Sequence, residues 1–369
     1  MRISFVSPTV NLGGGTKVIV IYAKALVAQG HHVELVSPPR QVLTLRQKLQ
    51  SVIKGNGWPK KLLELKSHLD GSGLNHRILD RYRPVTDADM PEADIVIATW
   101  WETAEWVNTF KKNKGVKVYF IQGHEIFPHL PVERCHATYR LPMHKIVVAR
   151  WLKEVMRTQY GDNSVEVVSN SVDKNQFFAP VRDKQSVPTL GFFYTLSPSK
   201  GMSMSLAGIE ILRKKFPHLR VICFASQYPN PAFPVPEGTE FTLSPDQDRI
   251  KDLYSQCDVW ITTSRSEGFN LMAMEAMACR TPIVSTRTGW PEEALKSGHN
   301  GMLIEVDDLA ALVHGAEWIL SLQESDWSNL SLNAYNTVAF GSWKESTKKF
   351  ERILQSLCSP SITHLDKVD

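Results

Sequence analysis

The chain has 369 residues, of which 43% are hydrophobic and 22% charged, with a formal net charge of +4. A single core rarely grows that large, so two domains are expected, and so mild a charge without a recognisable motif argues against nucleic acid as a partner. The five cysteines are odd in number, dispersed and free of any C-x-x-C, which argues against a disulfide framework or a zinc site.

In chain order, ISFVS at 3–7 reads as a strand, Gly15 to Gln29 as a helix with Val18, Ile21, Tyr22, Ala25 and Leu26 on one face, and HVELVS at 32–37 as a second strand. The first apolar run is too short for a secretory leader, and no run approaches a bilayer span, so a cytoplasmic location is expected. Further strands are predicted at 94–99, 116–122, 144–149 and 165–169, separated mostly by helices. A polar segment with two prolines at 178–188 reads as a linker. The alternation then restarts. Strands at 189–194, 219–225, 258–263, 282–285 and 301–306 alternate with helices near Gly201–Phe216, Asp246–Gln256 and Gly268–Cys279, and helices fill the rest. Strand–helix alternation implies right-handed crossovers and parallel sheets. The expected fold is α/β, with two Rossmann-like, doubly wound domains and the chemistry in a cleft near the carboxyl ends of their strands.

Between Arg40 and Lys66 seven basic residues face one acid, Glu64, with leucines, valine and isoleucine interleaved. The preferred reading is a solvated helical face beside the first sheet. The alternative is an amphipathic surface for peripheral contact with anionic membrane or an anionic acceptor.

Two constellations can carry chemistry. Gly13, Gly14 and Gly15 follow the first strand and open a helix, where backbone amides can approach an anion. The glycines are contiguous and the second strand ends in Ser37 rather than an acid, which disfavours nicotinamide dinucleotides. The second is SRSEGFNLMAMEAMACRTPIV at 264–284. Glu267 precedes a helix, Gly268, Phe269 and Asn270 are expected to start it, and Glu275 lies two turns in. Amides at such a terminus can hold a pyrophosphate, and a carboxylate further down the helix can accept from ribose hydroxyls. The competing account is a capped amphipathic helix with two surface glutamates. His124 lies in HEIFPH, where the second histidine comes one residue too late for H-E-x-x-H and Pro128 interrupts any helix, so zinc protease chemistry is not indicated.

The 264–284 segment, with E-G-F-x-L-x-x-x-E-A-M-A and then P-I-V, resembles the signature of glycosyltransferase family 4, a retaining group with the GT-B fold. NLGGGTKVIVIYAKALVAQGHHV at 11–33, VSNSVDKNQFF at 168–178, SPSKG at 197–201 and SGHNGMLIEVDD at 297–308 resemble that family's landmarks in the right order. The resemblance implies transfer of a sugar from a nucleotide-diphosphate sugar to a glycan, lipid-linked or small-molecule acceptor, without cofactor or metal. By that resemblance Glu267 would hold the donor sugar and Glu275 the ribose. Lys200 and the amides near Phe269–Leu271 would neutralise the diphosphate, and His124 would touch the transferred sugar. Gly14 and Gly15 would face phosphates or acceptor.

It further implies that the final helix returns to the first domain. The expected domains are therefore 1–180 completed by helix 342–358, and 187–341 on the donor side. The sequence departs from the pattern at Tyr194, where an arginine is common six residues before the lysine; Arg265 is the candidate to compensate. TRTGWPEEAL at 286–295 keeps one glycine where the family usually has two. The rival readings are a nucleotide-sugar epimerase, a sugar phosphorylase, and a non-catalytic carbohydrate-binding or scaffold protein.

Overall fold

The computed structural model describes residues 1–40, 49, 52–53 and 66–359. Most of the basic segment between Arg40 and Lys66, including Arg46, Lys48, Lys54, Lys60 and Lys61, lies outside the described residues. The chain divides into two compact units. The first comprises Met1–Val147, Met156–Val168 and Thr347–Asp369; the second comprises Val148–Val155 and Ser169–Ser346.

The first unit holds a seven-stranded sheet. Its strands are β1 (Arg2–Val6), β2 (His32–Ser37), β3 (Asn75–Ile78), β4 (Ile95–Ala98), β5 (Val116–Ile121), β6 (His144–Val147) and β7 (Glu166–Val167). Their order is β3-β2-β1-β4-β5-β6-β7, and every pairing is parallel. The central strands are buried on both faces, which is why they read as continuous apolar runs; β4 is IVIA with all four residues buried. The helix Gly14–Ala28 buries Val18, Ile19, Tyr22, Ala23 and Leu26 and stops where Gly30 takes a φ of 87°. The helix Trp343–Cys358 buries Thr347, Phe350, Ile353 and Leu354. Phe350 lies 4.6 Å from the ring of Tyr22 and 5.1 Å from that of Phe120, and His31 Nε2 meets Glu351 Oε1 at 2.8 Å.

The second unit holds a six-stranded sheet built from β8 (Thr189–Tyr194), β9 (Arg220–Ala225), β10 (Glu240–Leu243), β11 (Val259–Thr262), β12 (Ile283–Thr286) and β13 (Met302–Ile304). The order is β10-β9-β8-β11-β12-β13, again parallel throughout. Its core joins Leu190, Phe192 and Val221 from the sheet to Ile209, Leu312 and Trp327 from the covering helices. Residues 178–188, expected as a linker, lie inside this unit. Arg182 bonds the carbonyl of Cys257 and sits over the Trp327 ring at 4.6 Å, so the segment is pinned and the division falls at Val168 and Ser169 instead. Among the described residues, no helix is long and apolar enough to cross a membrane.

Candidate active site

In a parallel sheet all strands deliver their following loops to one edge, and a crevice opens where neighbouring strands send their crossovers in opposite directions. In the second unit that point lies between β8 and β11, which pair directly. The loop after β8 carries Pro198–Lys200 as one 3₁₀ turn, and Gly201 then takes a φ of 63°. A Cβ on Gly201 would lie 2.0 Å from the carbonyl oxygen of Thr263, so only glycine lets this loop lie against the end of β11. The seam is sewn further by Arg265 N–H donating to Ser199 O at 2.7 Å and by the Thr263 hydroxyl donating to Gly201 O at 3.0 Å.

This seam brings together side chains that lie far apart in sequence. Lys200 Nζ stands 2.5 Å from Glu267 Oε1, and the Ser264 hydroxyl donates to the same oxygen at 2.6 Å. The Glu267 side chain is 8% exposed and that of Lys200 27%, so the pair is shielded but open to a ligand on the lysine side. Lys200 also lines a recess with Thr195, Thr263, Ser264 and Met272. Gly289, the single glycine of TRTGWPEEAL, has a φ of 67°, and a Cβ there would meet Phe269 O at 2.8 Å and Glu267 Cβ at 2.9 Å. It therefore lets the next crossover close against the glutamate.

The helix that follows begins at Leu271, not at Gly268. Asn270 ends the loop in the left-handed region with a φ of 72°, and its side-chain oxygen accepts from Ala273 N–H as the N-cap. Its amide donates to Thr262 Oγ1 at 3.1 Å, fixing the cap to the end of β11. The helix amides left without intrahelical acceptors are thus those at Leu271 and Met272. Gly268 and Phe269 form the approach: Gly268 O accepts from Trp151 Nε1 at 2.9 Å, and Phe269 O accepts from Trp290 N–H at 2.8 Å. Glu275 is on the inner side of the helix at 7% exposure and accepts from the Tyr254 hydroxyl at 3.2 Å. It is not a surface glutamate.

Two residues expected near the phosphates are placed otherwise. Tyr194 is fully buried, and its hydroxyl donates to Phe233 O at 2.9 Å and accepts from Asn230 N–H at 2.8 Å. It anchors the loop after β9. Arg265 turns to the surface, where its Nε bonds both oxygens of Asp307 at 2.8 and 3.0 Å.

In the first unit Gly14 and Gly15 are exposed at the start of their helix. A Cβ on Gly15 would only touch the Gln122 side chain at 3.8 Å, whereas one on Gly13 would meet Asn11 Oδ1 at 2.7 Å. Of these two, Gly13 is the tight position, and its N–H donates to Asn11. His124 follows β5. Its Nε2 lies 2.6 Å from the Tyr160 hydroxyl, which also lies 2.8 Å from His136 Nδ1. Burial, with the neighbouring His136, holds the His124 imidazole down at a pKa of about 4, so it is neutral at physiological pH. The adjacent Glu125 is buried and accepts from Trp101 N–H at 2.8 Å; burial pushes its carboxyl well above the usual range.

Sequence reasoning passed over Ser264, Trp151, Tyr160 and His136. Ser264 had a usable signal, a hydroxyl three residues before a glutamate at a helix entry. The others meet their partners only through the fold.

Residues 173–337 match the family model of glycosyl transferases group 1. A D-inositol 3-phosphate glycosyltransferase 2 from Catenulispora acidiphila is 36% identical over 74 residues, 20% of this chain and 17% of the relative, so the chain spans about a sixth of that relative's length. Among solved structures, sucrose-phosphate synthase from Thermosynechococcus elongatus superposes with a TM-score of 0.74 at 14% identity, covering 97% of this chain and 99% of that one. Anabaena Alr3699/HepE in complex with UDP-glucose gives 0.73 at 15% identity, covering 96% and 100%. The chain therefore carries the GT-B fold, and its residues 173–337 are similar to the glycosyl transferases of group 1.

Proposed function

We propose that the chain is a retaining glycosyltransferase that moves a hexosyl group from a nucleotide-diphosphate sugar to a glycan, lipid-linked or small-molecule acceptor without a metal ion. The observation that carries the reading is the Lys200–Glu267–Ser264 cluster, beside the first amides of the helix that holds Glu275. Transfer breaks the bond between the anomeric carbon and a diphosphate oxygen. The acceptor oxygen forms the new bond, and its proton passes to the departing phosphate. Lys200 and the amides of Leu271 and Met272 would neutralise that phosphate as charge develops, the largest service such a site can render. Glu267 would exchange Lys200 for the sugar hydroxyls, and Glu275 would take the ribose.

HepE was solved with UDP-glucose, which makes uridine donors the first to try. A cytoplasmic site of action completes the proposal, with peripheral contact to anionic membrane kept as the alternative reading of the Arg40–Lys66 segment. The test is a panel of nucleotide sugars read by released nucleoside diphosphate, with and without EDTA, and with the anomeric configuration of the product read by proton NMR. Consumption of a donor, resistance to EDTA and retained configuration are expected. Turnover that EDTA abolishes and magnesium or manganese restores would overturn the metal-free reading, and an inverted product would overturn retention.

A further inference from the structure

We propose that Tyr160 is a positioning residue for His124, coupling the tautomer of His124 to that of His136 through one shared phenol proton. The inference rests on the glycosyltransferase reading only for its consequence in turnover; the coupling itself follows from the bonds. Tyr160 Oη has one proton, yet it lies 2.6 Å from His124 Nε2 and 2.8 Å from His136 Nδ1. One phenol proton can serve only one of the two ring nitrogens, so the phenol donates to one and accepts an N–H from the other. If it donates to His124 Nε2, the proton of His124 sits on Nδ1 and that nitrogen is a donor to whatever it faces. If it donates to His136 Nδ1, His124 carries its proton on Nε2 and its Nδ1 is an acceptor. One proton moving across each bond, together with release of the His124 Nδ1 proton to solvent and uptake of one from solvent at His136 Nε2, converts the first state to the second with no change in net charge.

The surroundings keep the phenol in this role. The Tyr139 ring lies 5.0 Å from that of Tyr160 and 5.3 Å from that of His124, and the Arg140 guanidinium lies over the Tyr160 ring at 5.0 Å. Arg140 and Cys135 are the ionisable groups acting on the phenol besides the two histidines. Burial pushes the phenol up to about 12, so it stays protonated, and burial keeps His124 neutral. A histidine whose free nitrogen must be a donor or an acceptor on demand needs its other nitrogen fixed by such a partner.

The experiment is long-range proton–nitrogen NMR on the full chain labelled with ¹⁵N-histidine, in which loss of a signal in His124→Gln and in His136→Gln assigns the two rings. At neutral pH the wild type should show one protonated nitrogen across the pair His124 Nε2 and His136 Nδ1, never two and never none. Tyr160→Phe keeps the ring and removes the bridge, so His124 should relax to a mixture of tautomers. His136→Leu leaves the phenol with one partner, so His124 should move wholly to the Nδ1–H form; this second variant keeps the test open if the first folds poorly. Identical His124 nitrogen shifts in all three proteins would overturn the coupling.

In transfer assays Tyr160→Phe should lower kcat about tenfold or more with donor affinity unchanged. An unchanged kcat alongside altered tautomers would overturn the positioning role. Absence of transfer by the wild type would instead defeat the proposed function and leave the NMR result to decide the coupling.

Discussion

Glu267→Gln separates the two roles of the ion pair because it should move binding and turnover in opposite directions. In the free protein Lys200 is held by Glu267 at 2.5 Å, with Ser264 on the same oxygen. Side-chain exposures of 8% and 27% mean that solvent screens this pair only in part. A hydrogen bond to a charged partner contributes about 1.5–3 kcal/mol and a neutral one about 0.5–1.5. The amide of glutamine therefore holds the lysine less tightly by about 1 kcal/mol or slightly more. That difference is what a diphosphate must now supply to draw Lys200 away. A nucleoside diphosphate lacking the sugar makes no contact that the carboxylate would improve. Its affinity for Glu267→Gln should accordingly rise about five- to tenfold by calorimetry. Transfer should fall about a hundredfold or more, since the acceptor of the sugar hydroxyls is lost. Diphosphate affinity equal to or weaker than wild type, in a variant that melts normally, would refute the idea that Lys200 is shared between Glu267 and phosphate.

Tyr194→Phe removes a buried hydroxyl that joins Asn230 N–H and Phe233 O, so stability in urea should drop by about 1–3 kcal/mol while diphosphate affinity stays unchanged. Phe350→Ala empties a fully buried site between Tyr22 and Phe120 and should cost about 3–5 kcal/mol of stability, read as a lower urea midpoint. His124 is depressed from 6.5 to about 4 on folding, so between those pH values the unfolded chain binds more protons. Stability should therefore rise with pH across that window, by up to about 1.4 kcal/mol per pH unit from this group, and level off above it. The slope should flatten in His124→Gln, measured by urea titrations from pH 4 to 7.

Most strands that the sequence disclosed are apolar runs buried along their length, such as VWIT in β11 and IVIA in β4. The two missed were edges. β3 is NHRI and β10 is EFTL, without a fully buried residue in either, so neither presents the apolar run by which a strand is recognised. The helix start was displaced by three residues because Asn270 in a left-handed conformation extends the loop, although asparagine before an apolar run is itself a cap signal. Glu267, Lys200 and Glu275 were singled out through motif resemblance, and the fold brings the first two into contact. The burial of Tyr194 was not legible, since a tyrosine closing a strand reads the same whether its hydroxyl meets solvent or the neighbouring loop. The link from Tyr160 to His124 spans 36 residues and no periodicity announces it.

The helix around Phe350 also sets an order of assembly. A ribosome releases Tyr22 and Phe120 long before the ring that fills the space between them. The second unit, apart from Val148–Val155, is contiguous from Ser169 to Ser346 and has fully emerged by then. Domains usually fold in the order of their synthesis. Here the unit that begins first is completed last, and its nascent sheet must keep an apolar face waiting through more than half of translation, where a chaperone would find it.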